Sequence, residues 1–313
     1  MTAIALIGAA SGWGAGFRHT QDGPTALRDL GLADWLRAAG IDADWRAMIA
    51  SERRWDESIA PTTAEIFDLV AKHNAALADT VARTLHAGEF PVVLGGDHTG
   101  AMGTWGGVAR GMSGKPFGLI WLDAHLDAHT VATSPSMNPH GMPAAALLGE
   151  GDPRFLKICG GVLRPDHLCY IGVRSYEPAE MDFLRRLGVR VIEMAEVKSR
   201  GIAACVAEAH DIVTRGTAGF GVTIDLDGFD PEDAPGIGLK CDDGLRAAPT
   251  LAALRMIADD PALTAIEIVE YIPQFDQDRR TAHLVRDLVV ALRGKTMPAR
   301  PSYFSLTQSS SVQ

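Results

Sequence analysis

The chain alternates between short, wholly apolar runs and longer stretches in which apolar positions recur every three or four residues. Seven runs read as strands: Ile4–Ile7, Pro91–Leu94, Gly118–Leu122, Leu168–Val173, Val189–Ile192, Phe220–Ile224 and Ala265–Tyr271. Runs without polar alternation suit strands covered on both faces of a parallel sheet. The clearest helix begins after Thr62, which stands in capping-box spacing with Glu65. Its apolar stripe passes through Ile66, Leu69, Val70, His73, Leu77, Val81 and Leu85, and Gly88 follows as a stop signal. Strands alternating with helices predict an α/β fold with right-handed crossovers. No repeat or linker divides the chain. Residues 1–300 read as a single domain and 301–313 as a polar tail, frayed or used in a subunit contact.

Composition narrows the class. With 47% hydrophobic and 22% charged residues, the 313-residue chain is ordinary globular material, not disordered, collagen-like or coiled coil. No apolar run approaches the roughly 18 residues of a membrane helix. No basic segment precedes the short apolar opening at Ala3–Gly8, so it is not a signal peptide, and a cytoplasmic location follows. The 29 Lys and Arg against 39 Asp and Glu leave a formal charge of −10, which argues against nucleic acid and permits a cationic substrate. Cys159, Cys169, Cys205 and Cys241 lie far apart with no CxxC pair, so they read as reduced, space-filling thiols.

Two phosphate motifs fail. A dinucleotide fingerprint from Gly12 lacks its third glycine, since Phe17 stands there, and from Gly14 it meets His19. Gly294-Lys295-Thr296 resembles the end of a P-loop, but Val289 occupies the required glycine position.

What remains is a set of metal-type ligands at four strand ends. Gly95-Gly96-Asp97-His98 follows one strand and Asp123-Ala124-His125-Leu126-Asp127-Ala128-His129 another. Asp225-Leu226-Asp227-Gly228-Phe229-Asp230-Pro231 follows a third, and the last ends with Glu267 and Glu270. Ligands of open parallel sheets bind at the carboxyl ends of the strands. If extended geometry persists, Asp123, His125 and Asp127 share one side, as do Asp225 and Asp227. Carboxylates crowded this way repel and hold protons unless cations neutralise them. A mixed Asp/His set suits Mn²⁺ better than zinc, and two metals sharing a water supply hydroxide near neutrality. That predicts hydrolysis.

These residues resemble the ureohydrolases, the family of arginase, agmatinase and relatives. The matching segments are GGDH at 95–98, DAHLD at 123–127, HGMP at 140–143, DLDGFDP at 225–231 and EIVEYIP at 267–273, in the family's order. The resemblance implies a three-layer α/β/α sandwich around a mostly parallel eight-stranded sheet, and a homotrimer or homohexamer. It implies that His98, Asp123, Asp127 and Asp225 hold one Mn²⁺ (or Co²⁺ or Ni²⁺). His125, Asp123, Asp225 and Asp227 then hold the other, with Asp123 and Asp225 bridging. In that family reading Asp127 also hydrogen-bonds a metal-bridging hydroxide. Glu270 binds the guanidinium of a small cationic substrate, and His140 delivers a proton to the leaving amine as shuttle or general acid.

At the substrate's far end, Ser136 and Asn138 match arginase contacts to the amino-acid carboxylate. Glu177 stands where arginases carry an Asp that orients the α-amino group. His129 stands where the best-known arginases carry Asn, and reads as either a substrate contact or support behind one. Ala144 after HGMP resembles the arginase form more than the agmatinase form, so the resemblance implies hydrolysis of L-arginine to L-ornithine and urea. Agmatine, guanidinobutyrate and formiminoglutamate are the alternative substrates, and a non-catalytic partner subunit is the alternative of another class. Between Gly238 and Leu245 the chain departs from the family: Leu239 replaces a Thr near the guanidinium and Asp243 a Gly. Asp97 and Asp230 read as caps or support for the site. Glu267 reads as facing away from the crevice or in an ion pair, and His73 as packed in the core.

Overall fold

The computed structural model describes residues 3–58, 60–258 and 260–294. The tail at 301–313 lies outside them. Eight strands form one sheet in the order β2-β1-β3-β8-β7-β4-β5-β6. They are β1 Ile4–Ala10, β2 Ala43–Ala50, β3 Phe90–Gly95, β4 Gly118–Leu122, β5 Leu168–Val173, β6 Arg190–Glu193, β7 Phe220–Asp225 and β8 Leu263–Val269. All pairings are parallel. The expected strands are present, Gly118–Leu122 and Leu168–Val173 with the expected bounds and the others with ends shifted by one to three residues, and one strand is missed. β2 is an edge strand with exposed Asp44, Arg46 and Ala50, so it never forms the continuous apolar run by which the others were read.

Helices cover both faces of the sheet. Val92, Leu94, Val222, Ile224, Ile266 and Ile268 point into one core, against helices that include Ile202–Thr214 and Arg280–Arg293. Val93, Trp121, Tyr170 and Ala265 point into the other, against Thr63–His86 and Gly100–Gly111. The three-layer sandwich expected from the family resemblance is therefore present. The capping box at Thr62 is formed: its Oγ1 accepts from Glu65 N at 3.3 Å, and Glu65 Oε2 accepts from Thr62 N at 2.8 Å. Such a cap contributes about 1 kcal/mol. The helix ends at His86 with Ala87 as its C-cap, and Gly88 takes φ +74°, a conformation that suits glycine. Among the described residues no helix is long and apolar enough to cross a membrane.

The strand order puts β3, β8, β7 and β4 side by side at the centre of the sheet. These are the four strands whose ends carry the acidic and imidazole clusters, so their carboxyl ends meet at one place.

His73 is buried in the Thr63–His86 helix, as expected, and burial pushes its pKa down to about 4 against a weaker upward pull from the Ala50 backbone. The unfolded chain therefore binds this proton more readily. The stabilisation is full above pH 6.5 and is lost as pH falls toward 4. His73 alone should remove about 2 kcal/mol between pH 7 and pH 5. In urea unfolding, His73→Gln is expected to show a smaller drop in stability over that interval than the unsubstituted protein. An equal drop would refute the assignment.

Candidate metal centre and substrate cavity

Just past β3, the Gly95-Gly96 turn is too tight for side chains. A Cβ on Gly96 would lie 1.8 Å from the Ser11 carbonyl oxygen. The turn throws His98 over the sheet end, where its ring packs 4.6 Å from Trp121. Its Nδ1 sits 3.2 Å from Asp123 Oδ2, 3.0 Å from Asp127 Oδ2 and 3.1 Å from Asp225 Oδ2. Beside this group, His125 Nδ1 lies 3.1 Å from Asp227 Oδ2 and 3.5 Å from Asp123 Oδ1.

The two groups, His98-Asp123-Asp127-Asp225 and Asp123-His125-Asp227, are each compact enough to hold a metal ion, and Asp123 belongs to both. Asp225 joins the first group only. All six expected metal residues are thus brought together. The way they meet differs from the expectation in two respects: Asp225, expected to bridge, joins the first group alone, and the path of the chain after β4 is different. Strand geometry does not persist through the DAHLD segment: β4 ends at Leu122, and Asp127 has φ +48°. Asp127 reaches the site through a positive-φ bend, not by strand alternation.

The carboxylates are held in place by donors. Asp123 Oδ2 accepts from Trp121 Nε1 at 2.8 Å and Oδ1 from His125 N at 2.7 Å. Asp225 Oδ1 accepts from Asp227 N at 2.9 Å. These bonds leave the acids far from neutralised. Burial, together with Asp227 and Asp123, drives Asp225 well above the usual carboxylate range. Burial likewise pushes Asp227 up to about 6. Asp123 moves the other way: burial raises it, but the adjoining His125 and His98 rings outweigh that. His125 resists charging because it is buried, yet Asp227 and Asp123 raise its pKa. Without cations this cluster would take up protons and form imidazoliums. Fully buried His98 Nδ1, close to three carboxylate oxygens, makes no hydrogen bond. That atom and the oxygen-rich donor set fit two divalent cations.

The centre forms the floor of a cavity of about 380 Å³. The expected substrate residues His129, Ser136, Asn138, His140, Glu177 and Glu270 all line it. Glu270 lies just past β8 with φ +67°; its N–H donates to the Gly96 carbonyl at 2.7 Å, and Oε1 accepts from His98 N at 3.0 Å. His140 Nδ1 lies 3.4 Å from Glu270 Oε1. Burial opposes a charge on His140, but Glu270, Asp127 and Asp97 prevail and lift its pKa to about 9. Asp97 supports the site without joining it: Oδ2 accepts from Gly14 N at 2.8 Å and Oδ1 from Thr99 N at 3.0 Å. Burial and Glu270 push Asp97 up to about 6.

At the far end, His129 Nε2 lies 3.0 Å from Glu177 Oε2 and 3.3 Å from Glu180 Oε2, and Nδ1 is 3.1 Å from Thr133 Oγ1. Sequence reading missed Glu180. Its only signal was the spacing Glu177-x-x-Glu180, which the structure realises as the capping box of the Pro178–Leu187 helix. Burial raises the Glu180 pKa to about 8. Ser136 turns partly toward its own backbone, its Oγ accepting from Asn138 N at 3.2 Å. Cys241 also departs from the space-filling expectation: it is partly exposed, and a hydrogen bond with His125 lowers its pKa.

A parallel sheet whose central strand ends gather two adjoining acidic–imidazole groups beneath a cavity fits the class of three-layer enzymes with a binuclear metal site. The Arginase family model matches residues 2–294. The arginase of Bacillus caldovelox is 35% identical over 95% of this chain and 100% of its own. Its native structure at pH 5.6 superposes with a TM-score of 0.87 at 34% identity, covering 95% of this chain and 100% of that one. The Entamoeba histolytica arginase, solved in complex with L-ornithine, gives a TM-score of 0.85 at 26% identity, covering 93% and 99%. The chain belongs to the arginase family and is a ureohydrolase, an enzyme acting on C–N bonds of guanidino compounds.

A divalent cation that binds only the folded protein should stabilise it by about 4 kcal/mol at a thousand times its Kd. Calorimetry of metal-free protein with and without added cation is expected to show a higher unfolding midpoint. Asp123→Asn, which alters the carboxylate common to both groups, should erase most of the gain; an undiminished gain would exclude Asp123 as a shared ligand.

Proposed function

We propose that this chain is an arginase, hydrolysing L-arginine to L-ornithine and urea with two Mn²⁺ ions; Co²⁺ or Ni²⁺ would be alternative occupants. His98, Asp123, Asp127 and Asp225 would hold one ion, and His125, Asp123, Asp225 and Asp227 the other. When bound, such a pair acidifies a shared water and polarises the group under attack.

The chain's own residues do the rest. Glu270 accepts hydrogen bonds from the guanidinium and fixes its carbon above the centre, an orientation effect. Asp127 accepts a hydrogen bond from the attacking water oxygen. His140, charged at neutral pH with Nδ1 toward Glu270, holds a second proton at Nε2. It delivers that proton to the departing amine nitrogen as the tetrahedral carbon collapses.

The carrying observation is the charge pattern of the cavity. It pairs Glu270 with the separate acidic cluster of Glu177 and Glu180, and among the described residues no Lys or Arg lines it. A substrate with an ammonium at the end away from its guanidinium, arginine or agmatine, matches this pattern, and the neutral donors Ser136 and Asn138 in the lining supply arginine's carboxylate with partners. Guanidinobutyrate and formiminoglutamate, whose far ends are anionic only, do not. Glu177 and Glu180, steadied by His129, would bind the α-ammonium, and Ser136 and Asn138 would donate to the α-carboxylate. Agmatine is the second reading, favoured by Leu239, which lines the cavity and is 41% exposed in the segment that departs from the family. Family kinship supports residues 1–300 as one catalytic domain, a cytoplasmic location and a homotrimer or homohexamer.

A product-release panel over arginine, agmatine, guanidinobutyrate and formiminoglutamate tests the substrate. Loss of the carboxylate's hydrogen bonds should put agmatine about tenfold or more below arginine in kcat/KM. The reverse order would make the chain an agmatinase. His140→Ala is expected to lower kcat by about 10²–10⁴ with bound metal unchanged. Loss of metal instead would make His140 a ligand.

A further inference from the structure

Behind the first acidic group runs a buried polar chain that the reaction above does not use. Glu267 on β8 points away from the crevice, toward the Gly100–Gly111 helix, and is fully buried. Among the described residues it has no cationic Lys or Arg partner; three neutral donors serve it. Oε1 accepts from the Thr104 hydroxyl at 2.5 Å, and Oε2 accepts from Trp105 Nε1 at 3.1 Å and from the Thr223 hydroxyl at 2.7 Å. Thr223 is the register partner of Glu267 on β7. Gly221 makes room for the indole, since a Cβ there would lie 2.1 Å from the Trp105 ring. On its other side, Thr223 Oγ1 lies 3.1 Å from His98 Nε2.

Counting protons gives this chain a direction. A hydroxyl has one proton, and Thr223 commits it to the Glu267 carboxylate. Its oxygen can then face His98 only as an acceptor, so Nε2 must carry a proton. The remaining nitrogen, Nδ1, is the atom facing Asp123, Asp127 and Asp225. We infer that Glu267 and Thr223 are positioning residues that hold the proton of His98 on Nε2 and so present the Nδ1 lone pair to the cation of the first group. A carboxylate behind a ligating imidazole fixes ring orientation and raises ligand basicity. Here the carboxylate acts one hydroxyl further away, through Thr223.

The inference rests on the two-ion reading of the site, which manganese stoichiometry of the unsubstituted protein tests separately. Manganese(II) titrated into metal-free protein should bind about 10–100-fold more weakly at one of its two sites in Thr223→Val and in Glu267→Gln. Thr223→Ser, which keeps the hydroxyl, should bind as the unsubstituted protein does. In ¹⁵N-histidine-labelled protein loaded with diamagnetic zinc(II), the His98 ring should show a proton on Nε2 that exchanges slowly with water, and faster exchange in Thr223→Val. Unchanged affinity at both sites in Thr223→Val and Glu267→Gln would overturn the inference. So would a His98 ring protonated on Nδ1, or equal weakening at both sites, which marks general loss of structure.

Discussion

Mutual repulsion among buried carboxylates is the constraint around which this molecule is organised. Asp123, Asp127, Asp225 and Asp227 are all buried within one cluster. Two unit charges about 4 Å apart interact by roughly 4 kcal/mol even at an effective dielectric near 20. Hydrogen bonds from Trp121, the His125 backbone and the Asp227 backbone hold the acids without neutralising them. The opposite charge is left to the imidazoles and to the cations that the two groups could hold. The fold brings the acids this close because β3, β8, β7 and β4 are neighbours, so four loops far apart in sequence start from one line.

Closeness alone does not aim the side chains. Asp127 and Glu270 both adopt positive φ, a conformation that non-glycine residues occupy at a cost of order 1 kcal/mol or more. Both positions are over-determined by their surroundings. The Glu270 N–H is bonded to the Gly96 carbonyl and its carboxylate to the His98 N–H, while the Asp127 carbonyl accepts from Ala144 N at 2.9 Å. Of the seven described non-glycine residues with positive φ, these are the two whose carboxylates face the site from segments that have just left the sheet.

The segment that departs most from the family is tethered to the metal centre. Arg174 donates to the carbonyls of Gly172, Asp227, Gly228, Phe229, Cys241 and Asp242. One guanidinium thus ties the end of β5 to the acidic loop after β7 and to the segment carrying Leu239 and Cys241. Changes in that segment reach the cavity wall at Leu239 and the His125 ring at Cys241. Its chemistry bears on which guanidino compound fits, while the acidic groups beneath stay within bonding distance of one another.

The sequence by itself determined the parallel α/β core and the long capped helix, and its resemblance to the family singled out the six residues of the two acidic–imidazole groups. Continuous apolar runs and acid-rich strand ends are local signals, and each needs only its own neighbours to be legible. β2 escaped because an edge strand is half wet and shows no such run. Tertiary structure alone decided that Asp127 and Glu270 turn inward through positive φ, that Glu180 joins His129 and Glu177, and that Glu267 reaches His98 through Thr223. Each of these depends on which strands become neighbours and on how the chain bends after a strand ends. Those choices are settled by packing and hydrogen bonding between segments distant in sequence.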